Sequence, residues 1–285
     1  MAEQRSIQQA FLSQPITEGA GVHLKRAFGH MEVPLFDPFL LFDDFRSNDP
    51  DHYIKGFPWH PHRGIETITY VLAGDVEHGD SLGNRGIISS GDVQWMTAGS
   101  GVIHQEMPKG TPDGKMLGFQ LWANLPAASK MMPPRYQGIT AAEIPDVEID
   151  EGVKIKVICG QVNGVNGPVQ DIIIDPTYLD VNVPANVTYK QTTQAGHTVL
   201  VYVIDGQGTF SKDSSASYGN ETLFLFSDGE EVSITADNRG VRFLLISGKP
   251  IGEPVAWRGP IVMNTQQELD LAFKEYQDGT FIKDH

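Results

Sequence analysis

Short runs of apolar and β-branched residues, separated by Gly-, Asp- and Asn-rich turns, recur along most of the chain. Such runs predict strands, because β-branched and aromatic side chains pack well on a pleated surface. The predicted strands are 21–28, 67–72, 93–97 and 118–123 in the first half, and 153–159, 172–174, 178–183, 197–204, 221–226 and 242–247 in the second. Turn signals about 8–12 residues apart favour an antiparallel sandwich or barrel.

The C-terminal tract 265–276 follows a helical pattern instead. Thr265 with Glu268 three residues later forms a capping box, which is typical of the start of a helix. Apolar residues then recur at helical spacing: Leu269, Ala272, Phe273 and Tyr276. We therefore predict one short helix near the C-terminus.

The two halves of the chain have similar patterns, which predicts an internal repeat of one barrel. Residues 67–75 (TITYVLAGD) and 200–208 (LVYVIDGQG) both consist of an apolar strand followed by an acid- and Gly-containing turn. Residues 126–150 are richer in Pro and small residues and are typical of a linker. We predict an N-terminal domain at 1–135 and a C-terminal domain, with the helix, at 136–285.

Composition and charge narrow the functional classes. The formal net charge of −15, from 36 acidic and 21 basic residues, should repel a phosphate backbone, so we expect no direct nucleic-acid partner. Cys159 is the single cysteine, which excludes an intrachain disulfide and fits a reducing cytoplasm. No signal-peptide pattern and no apolar run of about 18 residues occurs. We expect a cytoplasmic protein without a membrane partner.

Two short tracts contain the candidate metal ligands, His60-Pro61-His62 and His104-Gln105-Glu106. Residues i and i+2 of a strand point to the same face, so each pair can reach one point. Neighbouring strands would then gather three imidazoles and one carboxylate, a set that suits a first-row transition metal with open positions. The alternative is that these are ordinary histidines near turns. Residues 210–260 contain no His, so only the N-terminal half should bind metal.

Longer tracts around these residues resemble a known family. They are 37–43 (DPFLLFD), 60–66 (HPHRGIE), 91–99 (GDVQWMTAG), 101–108 (GVIHQEMP), Leu121-Trp122, Asn124-Leu125, Gly259-Pro260 and 262–264. The chain resembles the cupin superfamily, and within it the pirins, from about Glu18 to the predicted helix. The resemblance implies an all-β fold of two tandem cupin barrels (double-stranded β-helix, jelly-roll-like) with a short C-terminal helix. It also implies one metal in the N-terminal lobe, held by His60, His62, His104 and Glu106.

The resemblance further implies a chemistry. Iron(II) is the favoured ion, although residue types alone would also suit Zn, Mn, Ni or Cu. Pirins are associated with quercetin 2,3-dioxygenation, in which O₂ opens the central ring of a flavonol with loss of carbon monoxide. Glu106 would act as ligand and as the catalytic base that accepts the substrate hydroxyl proton. Many cupins place their carboxylate ligand in the first motif, so Glu66 is the alternative ligand or a hydrogen-bond partner of a ligating His.

Several roles remain open at this level. Flat apolar walls would suit an aromatic substrate, and the candidates are Phe42, Phe45, Phe57 and Trp59, with core packing as the alternative. Asp43 and Asp44 either order a water or orient a His, or form a solvated loop, and Arg63 either anchors substrate or seals the rim. The remaining histidines are expected to be structural or superficial: His23, His30, His52, His78, His197 and His285.

A second function class competes with the oxygenase. A metal that changes between Fe(II) and Fe(III) could alter the surface seen by a protein partner, so the chain would be a non-catalytic redox-sensing regulator or a modulator of another enzyme. The net charge of −15 favours a basic partner or protein contact for that role. We expect a monomer, because two lobes can bury each other's faces.

Overall fold

The computed structural model of the protein describes residues 3–211 and 216–283, and most of these residues lie in strands. The strands of the first half are β1 (Ile7–Leu12), β2 (Gln14–Glu18), β3 (Val22–Phe28), β4 (Phe39–Asp44), β5 (Phe57–His62), β6 (Ile65–Ala73), β7 (Asp75–Asp80), β8 (Arg85–Ile88), β9 (Val93–Thr97), β10 (Val102–Lys109), β11 (Leu117–Asn124) and β12 (Arg135–Ile139). The strands of the second half are β13 (Asp146–Glu148), β14 (Lys154–Cys159), β15 (Gln161–Val162), β16 (Val165–Asn166), β17 (Thr177–Val183), β18 (Thr188–Thr192), β19 (Thr198–Thr209), β20 (Tyr218–Gly219), β21 (Thr222–Phe226), β22 (Glu231–Gly248), β23 (Ala256–Arg258) and β24 (Ile261–Met263). Single 3-10 turns occur at His30–Glu32, Pro50–His52, Ala127–Ser129 and Asp150–Gly152, and the α-helix α1 is Gln266–Gln277.

The predicted all-β class and the C-terminal helix are confirmed. The hydroxyl of Thr265 accepts the Glu268 N–H, and the Glu268 carboxylate accepts the Thr265 N–H, so the predicted capping box is present. The predicted strand at 172–174 is wrong. Asp171 and Asp175 both have positive φ, at 60° and 47°, which bends the backbone at either end of this short segment.

The described residues pack as two compact units. Unit I comprises Gln14–Ala141 and the segment that begins at Ile251, and unit II comprises Ala142–Pro250 and the N-terminal residues that end at Ser13. By packing, the division between the units falls at Ala141/Ala142, because β12 pairs along its whole length with β9. The domain boundary at 135/136 stays a prediction. The terminal helix belongs to unit I, although the sequence placed it with the C-terminal domain.

Unit I is built from two main antiparallel sheets. One has the strand order β12-β9-β6-β11-β4-β3-β2, the other has the order β5-β10-β7-β8, and β23 and β24 form a small hairpin. Strands β5 and β10, which contain the candidate ligand tracts, are direct neighbours in the four-stranded sheet. The topology therefore brings together two tracts that the sequence separates widely.

Unit II repeats the architecture with a different interior. Its large sheet follows the path β1-β21-β19-β22-β17-β14-β13, with β18 paired to β22 and β20 paired to β19. Alternate residues of these strands form one continuous apolar cluster, in which Val201, Phe224 and Phe243 are fully buried. Among residues 3–211 and 216–283, no helix has the length and hydrophobicity needed to span a bilayer.

Candidate metal centre

Strand alternation places the three candidate histidines on one face of the four-stranded sheet. Along β10, residues 102, 104, 106 and 108 are buried and the residues between them are more exposed. His104 lies opposite His60 in the antiparallel register of β10 and β5, and Val102 lies opposite His62. The i, i+2 argument therefore holds for both tracts.

The three imidazoles meet through their Nε2 atoms. The distance between Nε2 of His60 and Nε2 of His62 is 3.1 Å, and Nε2 of His104 lies 3.0 Å from Nε2 of His60. Ligand atoms of these three residues all lie within 4.8 Å of one another. His62 and His104 are buried, and His60 is half-buried.

Backbone carbonyls set the tautomers of two of these rings. Nδ1 of His60 lies 2.8 Å from the carbonyl oxygen of Pro58, and Nδ1 of His62 lies 3.2 Å from that of Pro260. A carbonyl can only accept a hydrogen bond, so each Nδ1 carries the proton and each Nε2 presents a lone pair. Lone pairs that face one another at this distance repel unless a cation or a proton lies between them.

Burial reinforces the neutral state of the rings. It lowers the pKa of His60 and lowers the pKa of His62 and His104 well below the ordinary value, and in the latter two the neighbouring imidazoles add to the effect. Neutral imidazole is the form that binds transition metals. The donor set and its tautomers therefore fit a divalent transition metal.

Glu106 lies beside the three histidines but not among them. Its carboxylate is buried, lines the same cavity as His60 and His62, and lies 3.2 Å from the Thr69 hydroxyl oxygen. The β5–β10 register shifts between His104 and Glu106, and the carboxylate is outside the three-histidine group. Burial raises the pKa of Glu106 to about 7. Ligation by Glu106 stays a prediction.

Glu66, the alternative ligand, is engaged elsewhere. Its carboxylate accepts hydrogen bonds from Trp95 Nε1 at 3.1 Å and from the Thr97 hydroxyl at 2.6 Å. Glu66 lies three positions before Thr69 on β6, so the two side chains point to opposite faces of that strand. Thr69 lines the cavity, and Glu66 therefore points away from it. The structure does not bring Glu66 to the histidines.

A cavity of about 520 Å³ opens beside the histidines, and five Phe, Tyr and Trp side chains are among the residues that line it. Phe45 and Phe57, two of the predicted wall residues, line it. The other two do not: Phe42 is fully buried in the core against other phenylalanines, and Trp59 is 52% exposed. Three further aromatic residues, which the sequence did not indicate, line the cavity: Tyr53, Trp122 and Trp257.

Two family models match this chain. The Pirin model matches residues 21–123, and the model described as "Pirin C-terminal cupin domain" matches residues 178–282. The chain belongs to the pirin family. The resemblance and the two-cupin fold expected from it are thus confirmed.

Individual relatives agree with this membership. The chain is 41% identical to a pirin-like protein of Caulobacter vibrioides, covering 97% of this chain and 99% of the relative. A crystal structure titled quercetin 2,3-dioxygenase, from Acinetobacter baumannii, matches with a TM-score of 0.89 at 34% identity and covers 98% of each chain. The pirin YhhW of Escherichia coli, solved in complex with nickel(II), matches with a TM-score of 0.64 at 22% identity over 85% of this chain and 99% of that one, which shows the shared fold.

Two aspartates of this pirin are paired with arginines, a role that the sequence did not indicate. Asp43 accepts two hydrogen bonds from Arg26, at 2.8 and 2.7 Å, and lines the cavity. Asp44 is paired in the same way with Arg46, at 2.8 and 2.6 Å. Both carboxylates are buried in β4, so they neither orient a histidine nor lie in a solvated loop.

Arg63, next to His62, ties the terminal segment to the metal-site strand. It donates to the carbonyls of Ser100 and Phe281, at 2.6 and 2.7 Å, and to the Glu275 carboxylate at 2.7 Å. These contacts support the interpretation that Arg63 seals the rim of the barrel and does not anchor substrate. Each of its three nitrogens donates to a protein group, and it does not line the cavity.

His78 was assigned a structural or superficial role, yet it lies on the metal-site face. It is the register partner of Glu106 across β7 and β10, and its Nε2 lies 3.0 Å from Nε2 of Gln94. The signal that identifies it is the alternation along β7, where Val76 lines the cavity and His78 follows at i+2.

Proposed function

We propose that this pirin is a metal-dependent dioxygenase of the quercetin 2,3-dioxygenase type, acting on a planar flavonol. The observation that carries the proposal is the convergence of three imidazole Nε2 atoms beside a cavity of about 520 Å³ that contains five Phe, Tyr and Trp side chains. The solved structure from Acinetobacter baumannii whose title names this activity supports it.

His60, His62 and His104 would hold the ion, with Glu106 as the proposed fourth ligand. A divalent transition metal suits this nitrogen and oxygen donor set, and the family resemblance favours iron(II). When bound, the ion supplies Lewis acidity and open coordination positions. The carbonyls of Pro58 and Pro260 fix the two rings they contact, which reduces the reorganisation needed for binding.

Glu106 is the proposed proton acceptor. Its carboxylate lines the cavity, lies on the same buried face of β10 as His104, and has the Thr69 hydroxyl oxygen 3.2 Å away. A phenolic hydroxyl of a flavonol placed beside the histidines would come within reach of this carboxylate. Removal of that proton makes the flavonol electron-rich, which prepares it for reaction with O₂.

The aromatic walls would orient the substrate and exclude water. The Trp122 ring stands edge-on to the His62 ring, with centroids 5.1 Å apart at 89°, and Trp257 lies 6.0 Å from Trp122. These faces suit the flat rings of a flavonol. One O₂ is consumed and one carbon monoxide leaves for each flavonol opened, so no external reductant is needed.

The test is oxygen uptake with quercetin, measured together with carbon monoxide release and metal content. His104→Ala and Glu106→Gln should abolish turnover, and only the former should also lose most of the metal. His197→Ala, which removes a buried histidine of unit II, is the matched control and should retain activity. A folded, metal-loaded protein that consumes no O₂ with any flavonol would refute the proposal and would favour the regulator hypothesis.

A further inference from the structure

A row of polar side chains crosses the cavity wall of unit I from strand to strand. Thr69 on β6 lies opposite Gln120 on β11, Gln120 lies opposite Asp43 on β4, and Asp43 lies opposite Arg26 on β3. All four line the cavity. Because neighbouring strands are about 4.8 Å apart, the row spans about 14 Å.

The row begins beside the metal centre and ends far from it. At one end the Thr69 hydroxyl contacts Glu106 at 3.2 Å and Gln120 Oε1 at 2.6 Å. At the other end the Arg26 guanidinium is held by Asp43 at 2.7 Å and by Glu18 at 3.0 Å. Three positions two residues away on β3, β4 and β11 are the apolar cavity residues Leu24, Leu41 and Trp122. The polar row is thus bordered by apolar side chains on these three strands.

The hydrogen-bonding capacity of the row is only partly used. Gln120 Oε1 is occupied by Thr69, whereas its Nε2 donates to no atom of residues 3–211 and 216–283. Each carboxylate oxygen of Asp43 accepts one bond from Arg26 and has a second lone pair to offer. The row can therefore both donate to and accept from hydroxyl groups of a ligand.

The charge of the row argues against an acidic ligand. Arg26 is matched by two carboxylates, Asp43 and Glu18, so the group carries a net negative charge when both are ionised. Burial raises the pKa of Asp43 to about 6, against the effect of Arg26, so the group is ionised at neutral pH. A sulfate or carboxylate on the ligand would be repelled here, whereas a neutral phenol would be accepted.

We propose that Gln120 and the Asp43–Arg26 pair select the substrate by binding hydroxyl groups on its pendant ring, so that the cavity prefers uncharged, polyhydroxylated planar aromatics. This inference rests on the proposed function, because that function places the reacting hydroxyl beside Glu106. A molecule anchored there extends along the row, and its pendant ring reaches Gln120, Asp43 and Arg26. Gln120 is then a specificity-determining residue.

The experiment compares the binding of quercetin and galangin, which lacks both pendant-ring hydroxyls. Dissociation constants are measured without O₂ from quenching of tryptophan fluorescence, since Trp122 and Trp257 line the cavity. Two added hydrogen bonds should make quercetin bind about tenfold more tightly than galangin. A flavonol sulfated on the pendant ring should bind at least about tenfold more weakly than quercetin.

Two variants and a matched control test the residues. Gln120→Met and Asp43→Asn should each weaken quercetin binding about threefold to fivefold and leave galangin binding unchanged. Asp180→Asn removes a carboxylate from an equivalent pair in unit II, where Arg242 donates to Asp180 at 2.8 and 2.6 Å, and should alter neither constant.

The outcomes separate this inference from the proposed function. Equal binding of the two flavonols, tighter binding of the sulfated one, or an unchanged ratio in Gln120→Met overturns the selection role, even if quercetin is turned over. A preference that Gln120→Met reduces about threefold to fivefold supports the role even if no O₂ is consumed. Binding of neither flavonol overturns both.

Discussion

Replacement of Lys130 by methionine tests how unit I is held together next to the metal centre. The Lys130 side chain is buried, and its Nζ donates to the carbonyl of Gly64 at 2.9 Å, to Asn124 Oδ1 at 2.7 Å and to the carbonyl of Val262 at 3.1 Å. Gly64 follows the His62 strand, and Val262 lies in the terminal segment. One ammonium group therefore joins three parts of the unit.

The magnitude follows from the acceptors left behind. Methionine keeps most of the aliphatic stem, so little packing is lost. Each buried oxygen without its partner costs about 1–3 kcal/mol. Two effects reduce this cost. Asn124 Oδ1 keeps a second donor, Leu125 N at 3.1 Å, and the substitution removes the desolvation penalty of the buried Lys130 charge. We therefore take the lower limit of this range, about 1 kcal/mol, for each of the three acceptors. The free energy of unfolding should then fall by about 3 kcal/mol.

Urea unfolding measures this loss. With an m-value of about 2–3 kcal/mol/M, the midpoint of the transition of unit I should fall by about 1–1.5 M. Lys115→Met is the matched control, because Lys115 is an exposed lysine of the same unit paired with Asp113, and its loss should stay within about 0.5 kcal/mol. An unchanged midpoint in Lys130→Met, at unchanged m, would refute the reasoning that these three bonds are net stabilising.

Three further outcomes are expected. His104→Ala should weaken nickel binding by more than about 100-fold, because one of three facing nitrogen donors is lost; titration calorimetry that shows unchanged affinity would place the ion elsewhere. Nickel at about 100 times its Kd should stabilise the unaltered protein by about 2.7 kcal/mol in thermal unfolding, and this gain should be absent in His104→Ala. Thr265→Ala should cost about 1 kcal/mol, since it removes the acceptor for the Glu268 N–H; an unchanged melting temperature would mean that packing of Leu269 alone holds the helix.

The shared faces of the two candidate ligand tracts were predictable because strand alternation is a local rule. His60 and His62 share a face whatever surrounds them, and so do His104 and Glu106. The strands that contain the apolar runs, such as β9 at Val93–Thr97, were also predictable from β-branched and aromatic content. Local signals of this kind require no knowledge of distant contacts.

The rest of the site depends on contacts between residues that are distant in sequence. The carbonyl of Pro260 accepts a hydrogen bond from Nδ1 of His62, although the two residues are 198 positions apart. Glu275 accepts one from Arg63 across 212 positions. Neither contact has a periodic signature, so the sequence alone could not show that the terminal helix packs with unit I. The Pro-rich composition of 126–150 likewise concealed β12, which pairs with β9.

The two units show why the cupin fold alone does not determine function. In unit II the inward positions of neighbouring strands contain Val201, Phe224 and Phe243, which fill the interior with hydrocarbon. In unit I the inward positions of β5 and β10 contain His60 and His104 instead, and an aromatic cavity lies beside them. Both interiors obey the same two-residue alternation, so both satisfy the fold equally well. What separates a packed core from a candidate metal centre is therefore the residue type at a few inward positions.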